Sequence, residues 1–243
     1  MVRLQVMSHS FLKRVAFFGV VALASLPCLF GGCSGPTPPA PPVPDTAPPP
    51  IGECGLPVLG DPAAPMEVEI RALRADGADV PMKDGAELAL IFPPQGGRVS
   101  FVGVRVKNID PCGVRLLGAV RDTKSRQVRI DGRTVNLQRD RDGYGVTGLG
   151  NTDVTSDVAI AAYSNVPLCP NQWAEESIFD VEYELEVVVT DRSGKKGGAK
   201  IKVIPKCAEP MREAQCKCLC KKGYVLGEAC GEDAGILDGG ADR

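Results

Sequence analysis

Cysteine supplies most of the reactive side chains in this sequence. There are ten: Cys28 and Cys33 near the start, then Cys54, Cys112, Cys169, Cys207, Cys216, Cys218, Cys220 and Cys230. Behind an export signal (below), an even set of eight reads as disulfides, with about a hundred possible pairings. Cys216, Cys218 and Cys220 alternate, so on an extended segment they share one face. Neighbours two apart on a strand bridge each other poorly. Each is therefore expected to pair elsewhere, with Cys207, Cys230 and Cys54 as the partners at hand. Cys112 and Cys169 are then left for each other, closing a loop of about 58 residues worth about 4 kcal/mol on the chain-entropy model. The alternative use of three close thiolates is zinc. Zinc ligands usually come as pairs two to four residues apart, with a second pair or histidines. The C-x-C spacing and an oxidising compartment both speak against it, and no metal site is assigned.

The only histidine is His9, so beyond the first residues there is none. Ser/His/Asp triads, Cys/His pairs and histidine-ligated zinc are thereby excluded, and carboxylate-only chemistry remains. Asp140-Arg-Asp142-Gly143-Tyr-Gly145 is a fragment of a calcium loop, which Asn151, Asp153 and Asp157 could complete. It lacks the third ligand before the glycine and the later Glu of an EF-hand, and a solvated Asp/Gly loop is the plainer reading. Glu175 and Glu176 are adjacent, so on a strand they point to opposite faces and do not form a catalytic pair. Trp173, the sole tryptophan, is expected to pack against the Cys112–Cys169 bridge rather than anchor a ligand. No catalytic residue and no cofactor are assigned.

The first residues carry Arg3, Lys13 and Arg14 and no acid, followed by an uncharged apolar run over 15–29. That is the order of a secretory signal. The run is short for a membrane span, and Pro27 breaks it near its end. It closes in Leu29-Phe30-Gly31-Gly32-Cys33-Ser34, which resembles the bacterial lipobox in its two small residues before a cysteine, although Phe30 stands where Leu is usual. The resemblance implies cleavage after residue 32 and lipidation of Cys33. Ser34, where a retention signal would put Asp, implies an outer-membrane address. The membrane, through this lipid, is the first expected partner; three acyl chains exceed what stable anchoring needs. The alternative is ordinary cleavage, with Cys33 as a disulfide partner. Of 28 basic residues, removing those three leaves 25 against 30 acids, which offers nothing to nucleic acid. Residues 36–50 hold nine prolines in fifteen positions. Such a stretch joins neither helix nor sheet and reads as an extended spacer within 33–53, reaching about 60 Å.

These side chains need elements to hold them, and the pattern is β. With aromatics at 5%, the core must rest on Val, Ile, Leu and Ala. Strands are expected over 66–74, 87–92, 98–107, 114–120, 127–130, 134–137, 158–162, 181–190 and 199–204, several with period-two alternation. On 98–107, Val102, Val104 and Val106 share a face; on 181–190, Glu182, Glu184 and Glu186 face water while Val181, Tyr183, Leu185 and Val187 face the core. Residues 138–157 read as a loop. The last hairpin, Val-Thr-Asp191, Arg-Ser-Gly194 and a closing strand ending Val203-Ile-Pro, resembles that of bacterial immunoglobulin-like and PKD-like domains. The resemblance implies an all-β, immunoglobulin-like β-sandwich over 54–206.

Residues 207–230 are then a small disulfide-rich C-terminal knuckle, followed by a tail over 231–243 expected to be disordered. Cys218-Leu-Cys220-Lys-Lys-Gly223-Tyr224 and onward to Cys230 resembles the distal half of an EGF-like module, which implies a Cys220–Cys230 bridge. The expected function is that of a non-catalytic surface lipoprotein contacting protein or glycan, or contributing to envelope structure. The competing expectation is a calcium- or carboxylate-dependent cell-surface enzyme.

Overall fold

The computed structural model describes residues 54–231 apart from Trp173 and Glu175. The signal, Cys33, the proline-rich stretch, Trp173 and residues 232–243 lie outside the described residues. The chain is all-β, built from eleven strands in two sheets among the described residues. The first sheet contains β1 (Glu67–Leu73), β2 (Asp79–Pro81), β4 (Arg98–Lys107), β7 (Gln138–Arg139), β8 (Gly145–Val146) and β9 (Ser164–Cys169). Its order is β2-β1-β4-β8-β7, with β9 also on β4. The second contains β3 (Ala86–Leu90), β5 (Val114–Asp122), β6 (Val128–Val135), β10 (Tyr183–Thr190) and β11 (Lys196–Cys207), in the order β3-β11-β10-β5-β6. Only β3 with β11 runs parallel.

The sheets face each other across one main core. Ile70, Val102, Val104 and Val106 come from the first; Leu116, Val120, Leu185, Val187 and Val203 come from the second. On β10 the expected alternation holds, with Tyr183, Leu185, Val187 and Val189 buried and the residues between them half-exposed. The 98–107 strand is buried on both faces at its start. There Val99 and Phe101 enter a second cluster with Leu73, Ile91, Ile160 and Tyr163. Period two cannot announce this, because it reports one covered face.

Several expectations are corrected. Residues 158–162 do not form a strand: the chain makes a one-turn helix, α1 (Asp157–Ile160), whose N-cap Ser156 accepts a hydrogen bond from the Ala159 N–H. The cap satisfies an orphan donor, and only Ile160 turns inward. Strand β9, interrupted in sequence by Pro167, pairs with β4 through a register shift next to that proline. The two short strands expected over 127–137 are one, since β6 pairs with β5 without a break from Val135 to Val128. The 138–157 loop contains β7 and β8, which extend the first sheet.

The disulfides are Cys54–Cys112, Cys169–Cys220, Cys207–Cys216 and Cys218–Cys230. All eight expected cysteines are thus bridged, but neither Cys112–Cys169 nor Cys220–Cys230 forms. The reason is helical: residues 213–220 form α2 (Glu213–Cys220). On a helix, residues four apart share a face and residues two apart do not. Cys216 and Cys220 turn into the main core, against β11 and the end of β9, and both are buried. Cys218 turns away and takes Cys230. Cys112 and Cys169 lie beyond opposite ends of the ten-residue β4, about 30 Å apart in strand length.

Candidate functional site

The two flanks of the molecule differ. On one, β6 is tied to β9: Ser164 Oγ donates to the Asp131 carbonyl (2.9 Å), and the Asn165 N–H donates to the Asp131 carboxylate (2.8 Å). On the other flank the sheets are joined where β3 leaves its sheet, by the Ile91–Val99 bridge and by Ser100 Oγ, which donates to the Ala89 carbonyl (2.8 Å). There β2 ends one sheet and β3 ends the other. Beside them, a groove of about 930 Å³ runs past the end of β11 and the 3-10 turn Pro210–Arg212. Its apolar lining includes Val80, Met82, Ala86, Ala89 and Met211, and Arg74, Glu87 and Lys206 add charge. Arg74 pairs with Asp76 (3.0 Å) and Lys206 with Asp180.

One end of the groove is held rigidly. Two guanidinium groups lie over the Phe92 ring, Arg98 at 4.9 Å and Arg212 at 4.1 Å from its centroid. Its N–H donates to Glu209 Oε2 (2.8 Å). Arg98 is fully buried and donates to Gln215 Oε1 of α2 (2.7 Å) and to the Arg212 carbonyl (3.3 Å). A cation–π stack with hydrogen-bonded guanidiniums keeps the 3-10 turn and α2 against β4.

The groove sits at one end of the sandwich and the first described residues sit at the other. Leu59 bridges Ile109, just past the end of β4, and Cys54 is bonded to Cys112. The Lys195 ammonium closes that end by donating to the carbonyls of Pro62, Ala64 and Asn108. The large apolar side chains exposed at the groove end include Met211 at 88%, Val225 at 67% and Leu226 at 67%. Val225 and Leu226 belong to a fixed turn. The Glu228 N–H donates to the Val225 carbonyl (2.9 Å), Tyr224 Oη donates to the Glu228 carbonyl (3.3 Å), and Cys218–Cys230 closes the loop.

The calcium-loop candidates do not converge. Asp140 lies by β4's far end, where Arg105 Nε donates to its Oδ2 (2.7 Å) and the N–H groups of Asp142 and Tyr144 donate to its Oδ1. Asp153 accepts from Thr155, Asp157 from Gln95, and Asn151 bridges Ala78 near the opposite end. Burial pushes the Asp140 carboxyl up, but the Arg105 guanidinium and two backbone donors outweigh it and hold it below its ordinary value. A lowered carboxyl stabilises the fold above the unfolded value of 3.8, and that contribution is lost as pH falls through the folded value. Asp140→Asn is therefore expected to lower Tm by a few degrees at neutral pH. The gap between wild type and variant should narrow as pH falls below 3.8 and close once the folded-state carboxyl is protonated, in melting curves across pH. A gap independent of pH would contradict this ion-pair role.

Asp79 is the carboxylate whose surroundings resemble those of a tuned acid. It is buried with Oδ1 unpartnered, and burial raises its pKa despite Arg71, whose Nε donates to Oδ2 (2.8 Å). Its side chain is 3% exposed, which leaves a substrate no approach. Glu176, half of the adjacent glutamate pair, meets Lys124 (3.5 Å). Sequence reasoning missed the groove and its Arg98–Phe92–Arg212 stack, since strand edges are brought together by sheet order and not by any motif. What fold and site define is a two-sheet, all-β protein with four disulfides among the described residues and a groove beside β2 and β3. No protein-family model matches the chain, and no curated protein matches it.

Proposed function

We propose that the chain is a lipid-anchored protein of the bacterial envelope, probing its surroundings by binding and not by catalysis. In this reading Cys33 carries the lipid, the proline-rich stretch holds the domain off the membrane, and the domain is immunoglobulin-like. A strand order of β3-β11-β10-β5-β6 over β2-β1-β4-β9 supports the last point, as does a core of inward residues from both sheets.

The observation that carries the reading is polarity. The chain enters the domain at the Cys54–Cys112 end. The open groove and the exposed Met211, Val225 and Leu226 lie at the other end, about 30 Å away along β4. A tether at residue 54 presents that far end outward. Large apolar side chains held on rigid turns mark contact surfaces, since the entropy of ordering them is already spent.

The anchor is tested with Cys33→Ser. The variant is expected to leave the membrane fraction or keep its signal, while the wild-type N-terminal peptide carries acyl chains in mass spectrometry. An unmodified mature N-terminus would end the lipoprotein reading. The presenting end is tested by immobilising the mature protein and challenging it with detergent-solubilised envelope. Retention that Leu226→Asp abolishes is expected.

A further inference from the structure

A second site lies on the outer face of the second sheet, at the strand ends beside the β10–β11 turn and away from the groove. Strand register defines its layout. Thr134, Arg115, Thr190 and Lys196 form one row across β6, β5, β10 and β11. The next row is Gly132, Leu117, Val188 and Gly198. All of these except Gly198, which lies beside it, line a trough of about 410 Å³.

The charges on this face are unevenly spent. Further down, Glu184 and Glu186 are matched by Arg121 and Lys200, and Glu182 by Lys202. Arg115 and Lys196 are exposed and make no ion pair among the described residues. They stand two strands apart, about 10 Å. The trough floor is aliphatic, Leu117 and Val188, and the row is closed by a glycine on either side, Gly132 in the lining and Gly198 beside it. At Gly198 a Cβ would meet the Val187 carbonyl oxygen at 2.6 Å, so the backbone itself excludes one. At Gly132 a Cβ would meet only Leu117 Cδ1, at an ordinary 3.5 Å, so that space is open.

We propose that this trough binds a linear acidic polysaccharide, a polyuronate, lying across the strands. Ring C–H faces rest on Leu117 and Val188, carboxylates of alternate rings reach Arg115 and Lys196, and ring hydroxyls meet Thr134 and Thr190. The register favours a saccharide over an acidic peptide. Strands β5 and β10 are paired on both sides, so their backbone groups are consumed. A peptide laid on this aliphatic floor would leave its own N–H and C=O groups facing it unpaired, whereas a saccharide's ring faces are apolar. The proposal rests on reading the domain as a binding module and names its ligand class.

The test is calorimetric titration of the mature protein with a short oligouronate, a neutral dextran and polyglutamate. Binding of the oligouronate alone is expected, weakening as salt rises. Arg115→Ala and Lys196→Ala should each weaken it about tenfold. Gly132→Leu should abolish it with Tm unchanged, because the space is open. Equal binding of polyglutamate would overturn the saccharide, and equal binding of dextran would overturn the role of charge. Binding undiminished in Gly132→Leu would overturn the location, and no binding at all would overturn the site. The binding-module reading fails separately, if immobilised protein retains nothing from solubilised envelope.

Discussion

Removing the Cys169–Cys220 bridge, as Cys169→Ala together with Cys220→Ala, is expected to lower Tm by about 8–16 °C. The bridge spans 51 residues. On the chain-entropy model a loop of that size contributes about 4 kcal/mol, and in a domain of this length each kcal/mol moves Tm by about 2–4 °C. The bridge also occupies the core: Cys220 is fully buried and Cys169 is nearly so. Changing both cysteines avoids a stray thiol. The matching double variant of Cys218–Cys230, which closes 12 residues of surface loop, should cost less. Scanning calorimetry of the two variants decides the order. An equal or smaller loss for Cys169–Cys220 would mean that α2 is held by something other than this bridge. Because Cys216 and Cys220 belong to the main core, reduction is expected to loosen the sandwich and the tail together, in one transition.

Asn171→Leu is expected to cost about 3 kcal/mol, lowering Tm by about 6–12 °C, although Leu keeps the branching and heavy-atom count of Asn. Asn171 is fully buried, just after β9. Its Nδ2 donates to the carbonyls of Glu176 (2.8 Å), Cys220 (3.1 Å) and Lys221 (3.3 Å). Its Oδ1 accepts from Arg129 (3.2 Å) and from the Ala174 N–H (3.3 Å), and its own N–H donates to the Leu219 carbonyl (2.9 Å). One side chain thus satisfies carbonyls that the end of α2 leaves without helical partners. The leucine variant leaves the Cys220 carbonyl only its bond from the Ile178 N–H and removes this partner from the Glu176 and Lys221 carbonyls, which costs more than the bonds themselves. Hydrogen exchange should show faster opening across 213–221 than in β10. Protection unchanged in α2 would contradict the role given to Asn171.

The amino-acid sequence by itself determined what is local or periodic. Alternation placed β4 at its full length, 98–107, and assigned the inward face of β10 residue by residue, because side chains on a strand must alternate and only one set can be apolar. The even count of eight cysteines from Cys54 onward pointed to bridges. Composition determined that the chain has no histidine chemistry after residue 9. Tertiary structure alone decided the pairing. Whether Cys216, Cys218 and Cys220 share a face depends on whether the segment is a strand or a helix, and eight residues with Lys217 and Leu219 between the cysteines fit either period. Docking against Arg98 and Asn171 settled it as a helix, and the partners of all three cysteines changed with it. The same holds for β9, where Pro167 hid a strand that only pairing with β4 reveals, and for α1, where one serine cap outweighed an apolar run. The groove and the trough are further still from the sequence. Each is made of residues from four or more separate segments, and only sheet order and register bring those segments side by side.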